Sequence, residues 1–304
     1  MNIYSNLQRA LNNPRDMGRA FMTHTAKYWK NDKIYLQLLF YFIMGQKLNL
    51  KNPKSFNEKL QWLKLYDRKP EYTDLVDKLK VKNIVASCIG NDYIIPTIGI
   101  WNTPDEINIE TLPKKFVLKT THDGGSMGVV ICKDKNVFDF EEAKRKLRRS
   151  LAHSAYVQSR EWPYKNVERK IIAEEYLEDV VDKDLHDYKV LCFEGEPKLI
   201  EFHSGRNTGE QHQEFYDTDW NLTEISQGGP YVSSNRTYPK PDCLDEMLSL
   251  TRKLCAGYHH IRVDWYILNR KKIKFGEITF YDGSGFDGFD DIKYDELLGS
   301  WIKI

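Results

Sequence analysis

Near the C-terminus two apolar stretches flank turn material: His260 to Leu268, then Asn269-Arg270-Lys271-Lys272, then Ile273 to Tyr281. Both alternate as strands do. Ile261, Val263, Trp265 and Ile267 face one way, and Arg262, Asp264 and Tyr266 face the other. If Leu268 pairs with Ile273 across the four-residue loop, the register places Asp264 opposite Glu277 and Arg262 opposite Thr279, with opposed Cβ atoms about 5 Å apart. Like charges across a ladder destabilise a sheet. The pattern therefore suits either a hard divalent cation bound through oxygen, or a solvated outer face on which Arg262 and the loop lysines neutralise the acids.

A second segment, Phe116 to Val130, reads as a strand ending in Lys119, a glycine-rich loop, and another strand. Gly124, Gly125 and Gly128 let backbone N–H groups approach an anion, Ser126 adds a hydroxyl, and Lys119 adds a point charge. The spacing is neither the P-loop nor GxGxxG, and a plain hairpin loop would have the same composition. Ile171 to Leu177 is an apolar strand that runs into the acids Glu174 and Glu175. Asp187 and Lys189 then lie two residues apart, on one face of a further strand.

Elements must hold these groups. Ile3 to about Tyr66 reads as helical and aromatic-rich, broken near Pro14 and Pro53, with Ser55-Phe56-Asn57-Glu58 as a capping box. Residues 71–114 lead through a short helix to an extended segment, Asp92 to Gly99. Strands follow over Lys115 to Thr120, Val129 to Cys132, Ile171 to Leu177, Tyr188 to Phe193 and Pro197 to Phe202, with a helix from about Phe140 to Tyr156 among them. A helix from near Asp242 carries Leu244, Met247, Leu248, Thr251, Leu254, Cys255 and Tyr258 on one stripe. This is an α+β plan, divided into a helical region 1–70, a connecting segment 71–114, and lobes over 115–180 and 181–304.

Composition narrows the class. The 304 residues exceed the size at which one core usually keeps growing. Lysine plus arginine number 45 against 44 acids, so no global field favours nucleic acid. Five cysteines without a CxxC pair read as reduced residues of a cytoplasmic protein, and no secretory signal is evident. The apolar run from Ile34 to Met44 falls short of the roughly 20 residues of a spanning helix. It suits a buried helix or, with Lys27, Lys30, Lys33, Lys47 and Lys51 around it, one lying in an anionic interface at the inner face of the plasma membrane.

Taken in order, Lys78, Lys119 with its Gly-Ser loop, Glu174 to Leu177, Asp187, and Arg262 with Asp264, Glu277 and Thr279 resemble the ATP-grasp superfamily. Ser55 to Leu63, Arg160 to Tyr164, Phe215 to Asp217 and Gly276 to Tyr281 resemble its TupA-like branch, whose members sit among capsule, O-antigen and other surface-polysaccharide functions. The resemblance implies an ATP-grasp fold, two α+β lobes gripping ATP, with a helical N-terminal extension.

It also implies roles. Lys78, Lys119, Gly124, Gly125, Ser126 and Gly128 would bind phosphates. Glu174, Glu175, Tyr176 and Leu177 would form the adenine hinge, with backbone groups of Glu175 to Leu177 reading its edge, and Asp187 would hold the ribose. Asp264, Glu277 and Thr279 would hold Mg2+, and Arg262, Lys119 and Lys189 would act in catalysis. Thr279 replaces the usual asparagine, so its hydroxyl either coordinates or hydrogen-bonds a bound water. Lys82 competes with Lys78. His203, Arg206, Arg160 and the loop from Ser204 to Gln213 are substrate candidates, although their polar pattern is first of all that of a surface loop.

The implied activity is an ATP-dependent carboxylate-amine ligase acting through an acyl phosphate. Its partners would be a small-molecule amine and a glycan or lipid-linked carboxylate acceptor, with peripheral contact to a membrane or to polysaccharide-assembly proteins. A glycosyltransferase and a non-catalytic nucleotide-binding scaffold are the alternatives.

Overall fold

The computed structural model describes residues 14–205, 209–229, 233–234 and 236–304. The helical pattern expected from Ile3 is therefore followed only from Pro14, and Arg206 lies outside the described residues. The strands are β1 (Thr97–Trp101), β2 (Phe116–Thr120), β3 (Val129–Cys132), β4 (Ile171–Glu175), β5 (Asp187–Phe193), β6 (Glu196–Ser204), β7 (His212–Tyr216), β8 (Gln227–Gly228), β9 (His260–Leu268), β10 (Lys272–Thr279) and β11 (Gly288–Phe289). They form a four-stranded sheet in the order β1-β4-β2-β3, a five-stranded sheet in the order β10-β9-β5-β6-β7, and the pair β11-β8. Both larger sheets are antiparallel throughout.

Each sheet buries one face. Phe116, Leu118, Ile171 and Ala173 of the smaller sheet pack with Leu147 of the helix Phe140–Ala152. The larger sheet turns Val190, Val263 and Trp265 toward the helix Leu244–Cys255, whose apolar stripe is buried as the spacing requires. Trp265 satisfies its indole N–H on Thr251 Oγ1 of that helix, at 2.9 Å.

The N-terminal helices divide their allegiance. The helix Phe56–Tyr66 begins in the expected capping box and puts Phe56, Leu60 and Leu63 into the core of the larger sheet, with Phe56 against Phe193 and His260. The helices Pro14–Thr25 and Asp32–Met44 instead share a separate small core of Met22, Tyr35, Leu36, Leu39 and Phe40. The helix expected to run unbroken from Phe140 to Tyr156 stops at Ala152, and a short helix Ala155–Ser159 follows Ser154, whose side chain caps it.

The hairpin of β9 and β10 closes differently from the four-residue loop expected. Leu268 pairs with Lys272, so the loop is one residue shorter. The register then slips by one between Phe275 and Glu277, where Gly276 forms a bulge. The two changes cancel, and Asp264 stands opposite Glu277 and Arg262 opposite Thr279, as the alternation predicted. A Cβ at Gly276 would lie 3.0 Å from the Asp264 carbonyl oxygen, which explains glycine at the bulge.

Ser55 accepts a hydrogen bond from the Glu58 N–H while Glu58 accepts from the Ser55 N–H. Replacing Ser55 with alanine removes half of this box and should cost about 1 kcal/mol. Urea unfolding would show a lower midpoint at unchanged slope.

Candidate active site

The face of the larger sheet turned away from the helix Leu244–Cys255 carries its charges in cross-strand rows. Glu277, Asp264, Lys189 and Glu201 oppose one another in turn across β10, β9, β5 and β6. The adjacent row is Tyr266, Asp187, His203 and Gln213. A second bulge, between Leu191 and Cys192, sets Lys189 against Glu201. Asp187, expected at the ribose, is thus buried between Tyr266 and His203.

Buried like charges here need neutralising. Arg262 grips Asp264 through Nε and Nη2 at 2.7 and 2.8 Å, contacts Asp282 through Nη1, and lies 3.6 Å from Glu277. Lys78 pairs with Glu277 at 3.0 Å. Burial pushes the Asp264 carboxyl up to about 6 with help from Glu277, against the pull of Arg262. Burial also acts to raise Glu277, but Lys78 and Arg262 outweigh it and hold that carboxyl down at about 2.

Across from this row, the smaller sheet presents Glu174 with two lysines on it, Lys119 at 2.6 Å and Lys82 at 2.5 Å. Burial works to raise Glu174, and the two ammonium groups overcome it and keep the carboxylate charged. Lys78 and Lys82, competitors in the sequence, take different partners: Lys82 serves the smaller sheet, while Lys78 joins the two. The Lys78 N–H donates to Thr121 O, its ammonium donates to Asp123 O, and the same ammonium meets Glu277 of the larger sheet. Asp77 caps the backbone beside it by accepting from Leu79 and Lys80 N–H.

The glycine-rich loop has a fixed base and an open tip. Asp123 accepts from Ser150 Oγ at 2.8 Å and pairs with His153 Nδ1 at 3.1 Å, and Ser150 also meets Thr120 at 2.7 Å. Gly128 is buried, and a side chain there would strike Thr120 and Ser150. Gly124, Gly125, Ser126 and Met127 are exposed, with open space around both of those glycines. Such a loop can fold over an anion without disturbing its anchorage.

At the hinge, β4 ends at Glu175, whose N–H donates to Pro96 O, so that donor already has a partner. Tyr176 and Leu177 continue beyond the strand, and Tyr176 lies under Lys115. A hollow of about 560 Å³ opens there, lined by Ile98, Leu112, Pro113 and Tyr176 among others.

Other candidates move. Arg160 is no substrate loop residue: it is buried, donates to Ala26 O and Trp29 O, pairs with Asp32, and stacks on Tyr35 at 4.0 Å. His203 is no surface residue either. It is buried on β6, with Nε2 beside Glu201 and 2.9 Å from Lys189 Nζ. Glu201 and Asp282 were missed, as was Asp287, whose carboxyl is raised to about 6 by desolvation and then by Asp282 and Glu201, against Lys189 and Arg262. The alternation of Leu199, Glu201 and His203 gave the only signal for Glu201, and without the bulge it points to the wrong partner on β5.

Asp264 and Glu277 fit a hard divalent cation as an opposed pair of oxygen donors whose mutual repulsion a cation would relieve, with the Thr279 hydroxyl one pleat from Glu277. Among the described residues no group of three or more His, Cys, Asp or Glu is arranged to hold a metal ion.

A family profile described as TupA-like ATPgrasp matches residues 58–303. The chain belongs to the TupA-like ATP-grasp family. No curated protein matches it. Among solved structures, this ATP-grasp chain is similar to D-alanine-D-alanine ligase from Helicobacter pylori (16% identity, TM-score 0.47, 82% of this chain and 70% of that one). It is also similar to N5-carboxyaminoimidazole synthetase from Staphylococcus aureus complexed with ADP (16%, TM-score 0.41, 82% and 50%). A third is L-amino acid ligase from Bacillus licheniformis (12%, TM-score 0.44, 84% and 57%). The chain spans about half the length of the latter two.

Glu174 and Lys119 should separate stability from binding. Glu174→Gln leaves two buried ammonium groups without their carboxylate and should cost about 3–5 kcal/mol in chemical denaturation. Lys119→Met leaves Glu174 paired with Lys82. It should cost less stability and weaken ATP binding by roughly 10–100-fold in calorimetric titration.

Proposed function

We propose that this ATP-grasp protein joins an amine to a carboxylate using ATP. The observation that carries this reading is the facing of two charged assemblies. Arg262, Asp264, Glu277 and Lys78 gather at the larger sheet, opposite Lys119, Lys82 and the anchored glycine loop of the smaller one. Lys119 contributes to holding the Glu277 carboxyl down, so the two assemblies sense each other's charge.

In this reading the loop from Gly124 to Gly128 covers the ATP phosphates, and Lys119 and Lys78 neutralise them. The γ-phosphoryl passes to an oxygen of the acceptor carboxylate, giving ADP and an acyl phosphate. The amine then attacks the acyl carbon, phosphate leaves, and the amine gives up a proton. Arg262 serves the charge that develops on the transferring phosphoryl and on the tetrahedral intermediate. Lys189, in the same row as Asp264, orients the acceptor carboxylate. Mg2+, held by Asp264 and Glu277, supplies charge neutralisation at the phosphates when bound. The resemblance to surface-polysaccharide proteins supports a uronic-acid glycan or its lipid-linked precursor as the carboxylate.

Release of ADP and phosphate that requires both an amine and a uronate tests the reaction. UDP release from a sugar nucleotide would point to glycosyl transfer, and ATP binding without turnover to a scaffold. Glu277→Gln should abolish turnover and, because Lys78 and Arg262 lose the charge of the carboxyl that they hold at about 2, lower the melting temperature, with the circular dichroism of the folded protein at 20 °C unchanged. Full activity of that variant would remove Glu277 from the mechanism.

Asp264 sets a pH dependence. Its raised value means that the folded chain holds this proton more tightly than the unfolded chain between the ordinary 3.8 and about 6. Ionising Asp264 therefore costs the protein stability as pH rises through that window, and a bound cation offsets the cost. Mg2+-dependent ATP affinity should rise with pH through about 6, and Asp264→Asn should flatten that rise in titrations from pH 5 to 7.5.

A further inference from the structure

The helices Pro14–Thr25 and Asp32–Met44 lie side by side, with Gly18 against the ring of Phe42 and Arg15 against Gly45. That contact fixes an antiparallel hairpin. The buried positions of the second helix, Tyr35, Leu36, Leu39 and Phe40, form its inner face, and Ile34, Leu38 and Tyr41 recur at i, i+4 and i+7 on its outer face. On the first helix Met22 is buried, and Met17 and Phe21 recur at i and i+4 outside. Both helices of the hairpin thus carry exposed apolar side chains, Met17 and Phe21 on the first and Ile34, Leu38 and Tyr41 on the second. The result is an exposed apolar surface, with Phe21 at 59% exposure and the neighbouring Tyr28 at 70%.

Charge singles out what covers it. Residues 14–51 carry seven Lys and Arg against two acids, in a chain whose net charge is only +1. One of those acids, Asp32, is taken by Arg68 and Arg160, and the other, Asp16, lies 4.0 Å from Arg19. Lys27, Lys30 and Lys33 stand at the end of the hairpin beside Tyr28 and Ile34, where a hollow of about 340 Å³ is lined by Tyr28, Trp29, Lys30, Asn31 and Ile34. Exposed aromatic and aliphatic side chains bordered by lysines match the boundary between anionic headgroups and acyl chains. Among the described residues no helix is long and apolar enough to cross a membrane.

We infer that this helical hairpin docks on an anionic lipid bilayer, lying in its interface with Phe21, Leu38 and Tyr41 inserted and Lys27, Lys30 and Lys33 among the headgroups. The surface is independent of the ligase reading and stands or falls separately from it.

Co-sedimentation of the full chain with vesicles tests it. Binding is expected to vesicles of 30% phosphatidylglycerol in phosphatidylcholine, at least tenfold above phosphatidylcholine alone, and to weaken in 0.5 M NaCl. The double variant Phe21→Glu/Leu38→Glu and the triple variant Lys27→Glu/Lys30→Glu/Lys33→Glu should each lose at least tenfold. Both alter exposed positions, and unchanged circular dichroism confirms their fold. Equal sedimentation with both vesicle types, or undiminished binding by both variants, overturns the inference. So does a lipid-free dimer by light scattering that the Phe21/Leu38 variant dissolves, since a second copy would then cover the face.

Discussion

Asp264, which is buried, and Glu277, which is partly buried, oppose each other across one ladder. Opposed Cβ atoms lie about 5 Å apart, so like charges on them repel unless they are neutralised. A hairpin cannot hold such a pair unless cations reach it. Here they arrive from three parts of the chain: Arg262 on the same strand, Lys78 from the turn before the helix Lys80–Ile89, and Lys189 from the neighbouring strand. Each brings its element with it. Lys78 ties the smaller sheet to the larger, and Arg262 draws in the loop carrying Asp282. The contact between the two sheets thus includes the neutralisation of one carboxylate pair.

Backbone irregularity makes this neutralisation possible. Regular pairing from the Leu268–Lys272 closure would set Asp264 against Gly276 and leave Glu277 without its partner. The bulge at Gly276 restores the opposition, and the bulge on β6 at Lys198, between the partners of Leu191 and Cys192, aligns Lys189 with Glu201. They lie on β10 and β6, strands that carry the charged row, where a single extra residue re-aims a charged side chain. The glycine loop shows the same division of labour. Its base is packed so tightly at Gly128 that no side chain fits, while Gly124 and Gly125 stand free. Rigid anchorage with an open tip lets a loop close over a ligand without paying for order along its whole length.

Much of this was legible in the sequence because it depends on period. Alternation gave the facing of Arg262 and Asp264, the 3.6-residue stripe gave the buried side of the helix Leu244–Cys255, and the Ser55 to Glu58 spacing gave the cap. What escaped depends on separation in sequence. Arg160 has a substrate-binding residue type, yet its guanidinium is used up by carbonyls more than a hundred residues away. Glu201 sits among apolar neighbours, and its value as the shared partner of Lys189, His203 and Gln213 exists only after three strands have paired. Asp282 lies in a Gly-Ser-Gly turn that reads as simple loop. The hairpin turn departs from the alternation for a local reason instead: Asn269 and Arg270 both adopt positive φ, which closes it one residue sooner.

That Gly-Ser-Gly turn is also the joint between the helical hairpin and the charged row. Asp282 contacts Arg262, while four residues later Phe286 packs against Phe40 at 6.3 Å and under Lys64 at 4.6 Å. Lys64 is fully buried and satisfied by Gln61 Oε1, Ser159 O and Ser284 O, so the turn is held from below at the same time. Gln61 adds a hydrogen bond to Gly285 O, and a side chain at Gly285 would collide with Leu60 and Gln61. A segment this closely held has little freedom to flex independently of its neighbours. Displacement of Phe40 or of the helix Phe56–Tyr66 would therefore pass to Asp282, and through Arg262 to the opposed carboxylates. The small core of the N-terminal hairpin is joined to the active-site candidate through a few side chains, and its packing helps set where Arg262 points.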